Sequence, residues 1–190
     1  MSRFVASKVD RKENGLVVEK NDMGIIKLQE GDNFSVFYIR QGKELLMHKD
    51  EIELVDIKET GDAYPKKICN VCHKLLDTTH FDKNQNAKNN RPVRRPSCRD
   101  CRVIIDGEGL KPSEYRKWKE SKPHLEPFEC PICNKRTIPG LTSKVVLDHD
   151  HDTGNAREWI CDSCNTGLRR FKDNVELLKM AISYLEKVEG

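Results

Sequence analysis

The chain has 190 residues, of which 36% are hydrophobic and 34% are charged, and its formal net charge is +3. Apolar runs are short, as in residues 36–39, so a transmembrane helix of about 20 apolar residues is excluded. The first residues turn charged within ten positions and contain no apolar segment typical of a secretory signal. We therefore predict a cytoplasmic protein without a membrane partner.

Positive charge is concentrated in the middle of the chain. Residues 65–102 contain ten basic and three acidic side chains, a net charge of +7, whereas residues 1–64 carry −3 and residues 103–190 carry −1. Such a basic segment is expected where a protein neutralises the phosphates of a nucleic acid. A solvated charged surface would have the same composition.

The first 60 residues alternate short apolar segments with turn residues such as Asn21-Asp22 and Gly31-Asp32, a pattern typical of short strands. The predicted strands are Leu16 to Val18, Ile25 to Leu28, Phe34 to Arg40, Leu45 to His48 and Ile52 to Val55. Five short strands predict a small antiparallel β-barrel over residues 1–62. The excess of acidic residues in this segment argues against a main role in binding DNA. It favours a role in packing, in orienting the rest of the chain or in subunit contact.

All eight cysteines lie in four Cys-x-x-Cys pairs. The pairs are Cys69/Cys72, Cys98/Cys101, Cys130/Cys133 and Cys161/Cys164. Two such pairs supply the four thiolates of a tetrahedral structural zinc site. Chain order therefore predicts one zinc ion on the first two pairs and a second on the last two. Disulfides are the alternative, but they do not suit a cytoplasmic chain.

The cysteine pairs also indicate a degenerate duplication, because the first pair recurs after 61 residues and the second after 63. We predict an α+β fold in which two four-cysteine repeats, residues 63–125 and 126–190, follow the barrel. Each repeat continues into a helical segment, which begins at Pro112 in the first and with a capping pattern at Asp173 in the second.

The last segment of the chain carries apolar residues at helical spacing. They are Leu178, Ala181, Ile182, Leu185 and Val188. We predict that this stripe is a buried face, although a helix paired across a dimer would show the same pattern.

Between the third and fourth cysteine pairs, two β-rich stretches flank a polar turn and a helix follows. Asp148 and His149 end the first stretch, and Asn165 falls in the first turns of the helix. A neutral imidazole accepts a proton near physiological pH, and Asp and Asn offer oxygen ligands to a divalent ion. The alternatives are a polar turn without chemistry and a transition-metal site that uses His149 and His151.

The pattern Asp-His-x-His-x-Thr-Gly over residues 148–154, the arginine at position 157 and Cys-x-x-Cys-Asn ending at Asn165 resemble the recombination endonuclease VII branch of the His-Asn-His (ββα-metal) nucleases. The resemblance is densest over residues 130–170. It implies that His149 is the general base and that Asp148 and Asn165 hold a catalytic Mg²⁺, with Mn²⁺ able to substitute. It also implies phosphodiester hydrolysis to 5′-phosphate and 3′-hydroxyl ends.

Within this family the N-terminal segment is not part of the shared core, which indicates a specialised member. We predict a sequence-specific, restriction-type endonuclease acting on double-stranded DNA as a homodimer, because one active site per chain cuts one strand. One alternative is a junction-resolving or structure-selective nuclease with the same chemistry. Another is a non-catalytic zinc-ribbon protein that only binds nucleic acid.

The first repeat lacks the catalytic residues. Aligned on its later cysteine pair, it has Gln85, Asn86 and Arg102 at the three corresponding positions, and aligned on its earlier pair it has Ala87 and Lys88 at the first two. We therefore predict that this repeat is non-catalytic and contacts DNA. The DNA-binding candidates are Lys88, Arg91, Arg94, Arg95, Arg99 and Arg102, with Arg157 as a candidate phosphate clamp in the second repeat. Three roles stay open for His151: it could orient a phosphate, support the fold or act as a surrogate base.

Overall fold

The structure is a computed structural model that describes residues 3–13, 15–86 and 92–187. The chain divides into two compact units, Met1–Val103 and Ile104–Gly190, which we call the first and the second unit. Within the described ranges, no helix is long and apolar enough to cross a membrane.

The first unit consists mainly of short strands. They are β1 (Phe4–Ser7), β2 (Arg11–Glu13), β3 (Leu16–Val18), β4 (Met23–Glu30), β5 (Asn33–Tyr38), β6 (Lys43–His48), β7 (Ile52–Val55), β8 (Lys66–Ile68), β9 (Leu75–Asp77), β10 (Lys83–Asn86) and β11 (Pro92–Arg94). Helix α1 (Arg99–Asp106) follows, and the boundary between the two units falls within it. Single 3-10 turns lie at Lys49–Glu51, Ile57–Glu59 and Thr78–His80.

Five of these strands form one antiparallel sheet in the order β6-β5-β4-β1-β7. Successive side chains of a strand point to opposite faces of a sheet, and both faces of this sheet are covered. On one face, Val36 and Tyr38 pack with Leu16 of the β2–β3 hairpin. On the other, Met23 packs with Leu75 of β9.

The predicted β-barrel is not confirmed, because the sheet is open. In the part of the chain that the structure describes, no ladder joins its edge strands β6 and β7. Closing a sheet requires a fixed tilt and stagger of its strands. Here the apolar faces are buried without closure, since the β2–β3 hairpin covers one and the β8–β9 hairpin the other.

The five strands predicted in this segment are present as β3 to β7, with ends that differ by a few residues. Strands β1 and β2 were not predicted. Strand β2 consists of the charged residues Arg11–Glu13, which pair with Leu16–Val18. Its extended form therefore comes from hairpin pairing and not from an apolar pattern.

The second unit carries short helices around small hairpins. Its elements are α2 (Pro112–Trp118), β12 (Phe128–Glu129), β13 (Arg136–Thr137), β14 (Val145–His149), β15 (Ala156–Cys161), α3 (Asp162–Arg170) and α4 (Val175–Glu186), with a 3-10 turn at Lys119–Ser121. The order of hairpin, hairpin and helix in β8–β9, β10–β11 and α1 recurs in β12–β13, β14–β15 and α3. This recurrence supports the predicted duplication, while the segment boundaries at residues 62 and 125 stay a prediction.

The β14–β15 hairpin is the centre of the second unit, and its two faces contact different helices. On one face, Leu147 and Trp159 pack with Trp118 of α2. On the other, Ile160 packs with Leu168 of α3. The predicted β-β-α arrangement is therefore present, with α3 packed directly against the hairpin.

Helix α4 begins where the sequence predicts, and the side chain of its N-cap residue Asn174 accepts a hydrogen bond from the Leu177 amide at 3.0 Å. The prediction that its apolar stripe is buried is wrong for the single chain. Leu178 and Ala181 are half-buried, whereas Ile182 and Leu185 are exposed, and Val188 lies outside the described residues. No residue of α4 is fully buried.

Candidate active site and cysteine clusters

The structure groups the eight cysteine thiols into the two sets that chain order predicts. The sets are Cys69, Cys72, Cys98 and Cys101 in the first unit, and Cys130, Cys133, Cys161 and Cys164 in the second. Within each set the four sulfur atoms lie within 4.8 Å of one another, and all eight are free thiols.

The spacing of the sulfur atoms fits a tetrahedral zinc ion. Zinc–sulfur bonds of about 2.3 Å place two sulfurs of a tetrahedral shell about 3.8 Å apart. The Sγ atoms of Cys133 and Cys161 are 3.8 Å apart. Burial raises the pKa of Cys130, but N–H groups of the backbone outweigh it and lower the pKa to about 6, which favours the thiolate that a metal ion binds.

The two clusters are built in the same way. In the first Cys-x-x-Cys turn of each, the amide of the residue after the second cysteine donates back to the first cysteine's carbonyl, from His73 to Cys69 at 3.0 Å and from Asn134 to Cys130 at 2.9 Å. His73 and Asn134 both have φ of 54°. The second turn of each cluster lies at the start of a helix, α1 or α3. Each cluster thus ties a hairpin to a helix.

Asp148 and His149 lie at the end of β14, where the β14–β15 ladder is irregular. Leu147 pairs with Trp159 and His149 with Ala156, so two residues of β15 face Asp148 alone. An extra residue of this kind turns side chains locally and is frequent beside active sites. Here it places the buried Asp148 against Arg157, whose Nη1 donates to Oδ2 at 3.1 Å.

Arg157 lies among three carboxylates. Its guanidinium is 3.1 Å from Asp148, 3.5 Å from Asp150 and 4.0 Å from Asp173. Burial lowers the pKa of Arg157, but these three aspartates outweigh burial and raise it above its ordinary value. Arg157, which was predicted to clamp a phosphate, is therefore already paired with acidic side chains.

The environment of His149 favours its neutral form. Burial lowers the pKa of His149, and the neighbouring His151 lowers it further, against a hydrogen bond with the backbone of Glu108 that raises it. The ring centroids of His149 and His151 are 4.6 Å apart. A neutral imidazole is the form that can accept a proton from water.

His151 has partners on both ring nitrogens. Its Nδ1 lies 2.7 Å from the carbonyl oxygen of Asp106, and its Nε2 lies 3.1 Å from Oδ2 of Asp173. Neither Asp106 nor Asp173 was predicted as a site residue. The only sequence signal near Asp173 is the capping pattern that starts α4, and Asp106 has none.

Asn165 is the fourth residue of α3 and is half-buried. Its neighbour Cys164 belongs to the second cysteine cluster, and Leu168 one turn later packs on Ile160. The helix that carries Asn165 is thus held against the hairpin that carries Asp148 and His149.

The predicted DNA-binding arginines of the first unit differ in their surroundings. Arg94 donates from Nη1 to the carbonyl of Phe81 at 2.8 Å, and Arg99 lies 3.6 Å from Asp82 in an exposed ion pair. Arg95 is exposed. Arg102 is half-buried on α1. Lys88 and Arg91 lie outside the described residues.

Known proteins share both the sequence pattern and the fold. Residues 108–187 match the family model of recombination endonuclease VII, and residues 56–107 match that of the His-Me finger endonuclease beta4-alpha2 domain. A solved structure with 44% sequence identity superposes with a TM-score of 0.88, over 99% of this chain and 99% of the other. The chain therefore belongs to the ββα-Me (His-Me finger) endonucleases, and it is a DNA endonuclease.

That solved structure is the ββα-Me type II restriction endonuclease Hpy99I. A shorter match is the Gene 59 protein of Mycobacterium phage D29, which is 37% identical over 59 residues. This segment is 30% of the present chain and spans about a third, 34%, of the phage protein. Membership of an endonuclease family speaks against the non-catalytic zinc-ribbon alternative.

Proposed function

We propose that the chain is a Mg²⁺-dependent, sequence-specific endonuclease of the restriction type that cuts double-stranded DNA to 5′-phosphate and 3′-hydroxyl ends. The main support is the 44% identity to Hpy99I over 99% of both chains. That similarity includes the N-terminal sheet, which lies outside the residues that match the endonuclease VII model.

In this proposal the residues of the β14–β15 hairpin and of α3 have separate catalytic roles. His149 takes the proton from the attacking water, because burial keeps its imidazole neutral. Asp148 and Asn165 hold the divalent ion through a carboxylate and a carboxamide oxygen, which is the donor type that Mg²⁺ prefers. When bound, Mg²⁺ or Mn²⁺ stabilises negative charge on the phosphate and on the departing 3′ oxygen.

The two cysteine clusters are proposed to bind one structural zinc ion each. Units this small bury little apolar surface, and tetrahedral thiolate sites compensate for that. Eight free thiols suit a reducing compartment, so we also propose that the protein acts in the cytoplasm.

A specific observation favours the junction-resolving alternative, namely the match of residues 108–187 to recombination endonuclease VII. Incubation of the protein and Mg²⁺ with a mixed-sequence linear duplex and with a four-way DNA junction separates the two functions. We expect discrete duplex fragments whose ends map to one short sequence. Cutting of the junction alone would reject the restriction-type function and support the alternative.

We propose that the first unit binds the DNA backbone, and Arg95 offers the simplest test because it is exposed. Arg95→Ala is expected to weaken binding of all duplexes about equally and to reduce the dependence of log Kd on log salt by about 1, the effect of one lost phosphate contact. The measurement is a titration of fluorescent duplex at several salt concentrations. Arg136→Ala is the control, because Arg136 is exposed but paired with Glu129 at 2.8 Å. An unchanged salt dependence in Arg95→Ala would contradict the contact.

We propose that the active form is a homodimer and that a second copy of this chain covers the exposed side of α4. Leu185 is 66% exposed and Ile182 56%, and residues three apart are neighbours on one side of a helix. Exposed apolar patches mark interaction surfaces. With one candidate active site per chain, cutting both strands requires two copies. Self-association of α4 would bury these side chains and supply the second site.

The double variant Ile182→Asp, Leu185→Asp is therefore expected to be monomeric, because a paired helix would have to bury both carboxylates. Analytical ultracentrifugation measures the mass of the variant. In a cleavage assay on supercoiled plasmid, the monomeric variant should produce nicked circles, where a dimer produces linear DNA. Ser183→Asp on the same helix adds a charge at an exposed polar position and should remain dimeric. A dimeric double variant would reject α4 as the interface.

A further inference from the structure

The turn that carries His149 and His151 is held by a segment that precedes α2, residues 106–108, which we call the strap. The amide of Glu108 donates to the carbonyl of His151 at 2.7 Å, and the carbonyl of Asp106 lies 2.7 Å from Nδ1 of the same residue. The backbone of Glu108 also forms a hydrogen bond with His149. The strap thus contacts both histidines, His151 through Asp106 and Glu108 and His149 through Glu108 alone.

The strap lies against the turn so closely that its middle residue must be glycine. Gly107 has φ of 57°, and a Cβ atom there would lie 2.4 Å from the carbonyl oxygen of His151. Any side chain would push the two backbones apart. The strap is also anchored to α3, because the carboxylate of Asp106 pairs with Arg169.

On the opposite side of His151, the turn between α3 and α4 presents Asp173. Lys172 and Asp173 have φ of 57° and 50°, a conformation that costs free energy in residues other than glycine. The Asp173 amide donates to Leu168 at 3.0 Å, which closes the turn. Its side chain, only 11% exposed, lies 3.1 Å from Nε2 of His151.

The partners of His151 define its chemistry. A backbone carbonyl and a carboxylate are both hydrogen-bond acceptors, and each ring nitrogen of His151 lies within hydrogen-bond distance of one of them. Both ring nitrogens are therefore occupied by protein partners, and neither is free to contact water or a phosphate. Of the three roles left open by the sequence, this geometry supports neither the surrogate base nor the phosphate ligand.

We propose that His151 is a positioning residue, held between the strap and Asp173 so that its ring fixes the neighbouring His149 imidazole in the orientation needed for proton transfer. This inference rests on the proposed role of His149 as the general base. The rings are 4.6 Å apart and tilted by 44°. We call the strap and Asp173 together the clamp. Displacement of the strap or of Asp173 would leave His149 present but misoriented.

The strap is tested with the full-length protein and a matched pair of glycine variants. Gly107→Ala is expected to lower kcat on duplex DNA by about 10²-fold, the effect of a misplacement near 1 Å, with KM within about twofold of the wild type. Gly109→Ala is the control, because a Cβ atom at Gly109 meets nothing within 4 Å, and its kcat should be unchanged. Equal kcat values for the two variants would overturn the proposal.

A variant on the other side of the clamp covers the case in which Gly107→Ala does not fold. Asp173→Leu removes the acceptor for Nε2 and is expected to lower kcat by about 10²-fold. Asp173→Asn retains an oxygen acceptor and should stay within about tenfold of the wild type. If Asp173→Asn and Asp173→Leu lose kcat equally, the hydrogen bond to His151 does not position the base and the proposal fails.

A readout without DNA separates this inference from the proposed function. In the metal-free wild type, long-range ¹H–¹⁵N spectra of the histidine rings should show a single tautomer of His149. Gly107→Ala should give His149 a mixture of tautomers. The same mixture of His149 tautomers in the wild type would overturn the proposal even if the enzyme cuts DNA. The expected spectra in a protein that cuts no DNA would support the clamp and reject the function.

Discussion

His149→Ala should lower kcat for DNA cleavage by about 10²- to 10⁴-fold, the usual contribution of a general base. The loss follows from the environment of His149, since burial and the nearby His151 hold its pKa low and keep the imidazole ready to accept a proton. Alanine leaves the water without a base. The measurement is single-turnover cleavage of a cognate duplex with saturating Mg²⁺.

Two controls give this result its meaning. Zinc content and duplex affinity should equal those of the wild type, because His149 belongs to neither cysteine cluster. His124→Ala, an exposed histidine of the same unit, should cut normally. If His149→Ala cuts at the wild-type rate, another group is the base and the assignment is wrong.

Cys130→Ser should remove the zinc ion of the second cluster and unfold the second unit. Structural zinc in small domains contributes about 10–16 kcal/mol, which equals or exceeds the net stability of about 5–15 kcal/mol of a typical domain. Cys130 is fully buried, and its cluster joins the β12–β13 hairpin to β15 and α3. Loss of the cluster would free α3, and Asn165 with it.

Elemental analysis should find two zinc ions per chain in the wild type and one in Cys130→Ser. Thermal unfolding followed by circular dichroism should show the loss of the second unit. Ser163→Ala, a change within the Cys161 to Cys164 turn that leaves all thiols in place, should keep both ions. A Cys130→Ser variant with two ions and wild-type unfolding would reject the metal assignment.

Local spacing was enough to predict much of the second unit. The four Cys-x-x-Cys pairs imply their grouping, because two neighbouring thiols on one turn need a second turn to complete a shell. The strand ending in Asp148 and His149 and the helix carrying Asn165 follow from apolar pattern and motif. Each of these inferences uses residues that are close in the chain or constrained by one metal site.

Predictions that depended on packing between distant segments were less successful. The apolar strands before residue 60 are present, but the pattern does not distinguish a closed barrel from a sheet covered by the β2–β3 and β8–β9 hairpins, because both bury the same residues. The apolar stripe of α4 likewise does not say what covers it. Ile182 and Leu185 are exposed in the single chain.

By itself, the sequence determined the family, the two sets of cysteines and the three candidate catalytic residues, because these depend on residue type and short spacing. Only the tertiary structure revealed the strap, the engagement of Arg157 by three aspartates and the clamp on His151. Asp106 and His151 are 45 positions apart, and no local periodicity encodes the approach of such distant residues. Their meeting depends on how the backbone turns at Gly107 and Asp173 fit around one hairpin.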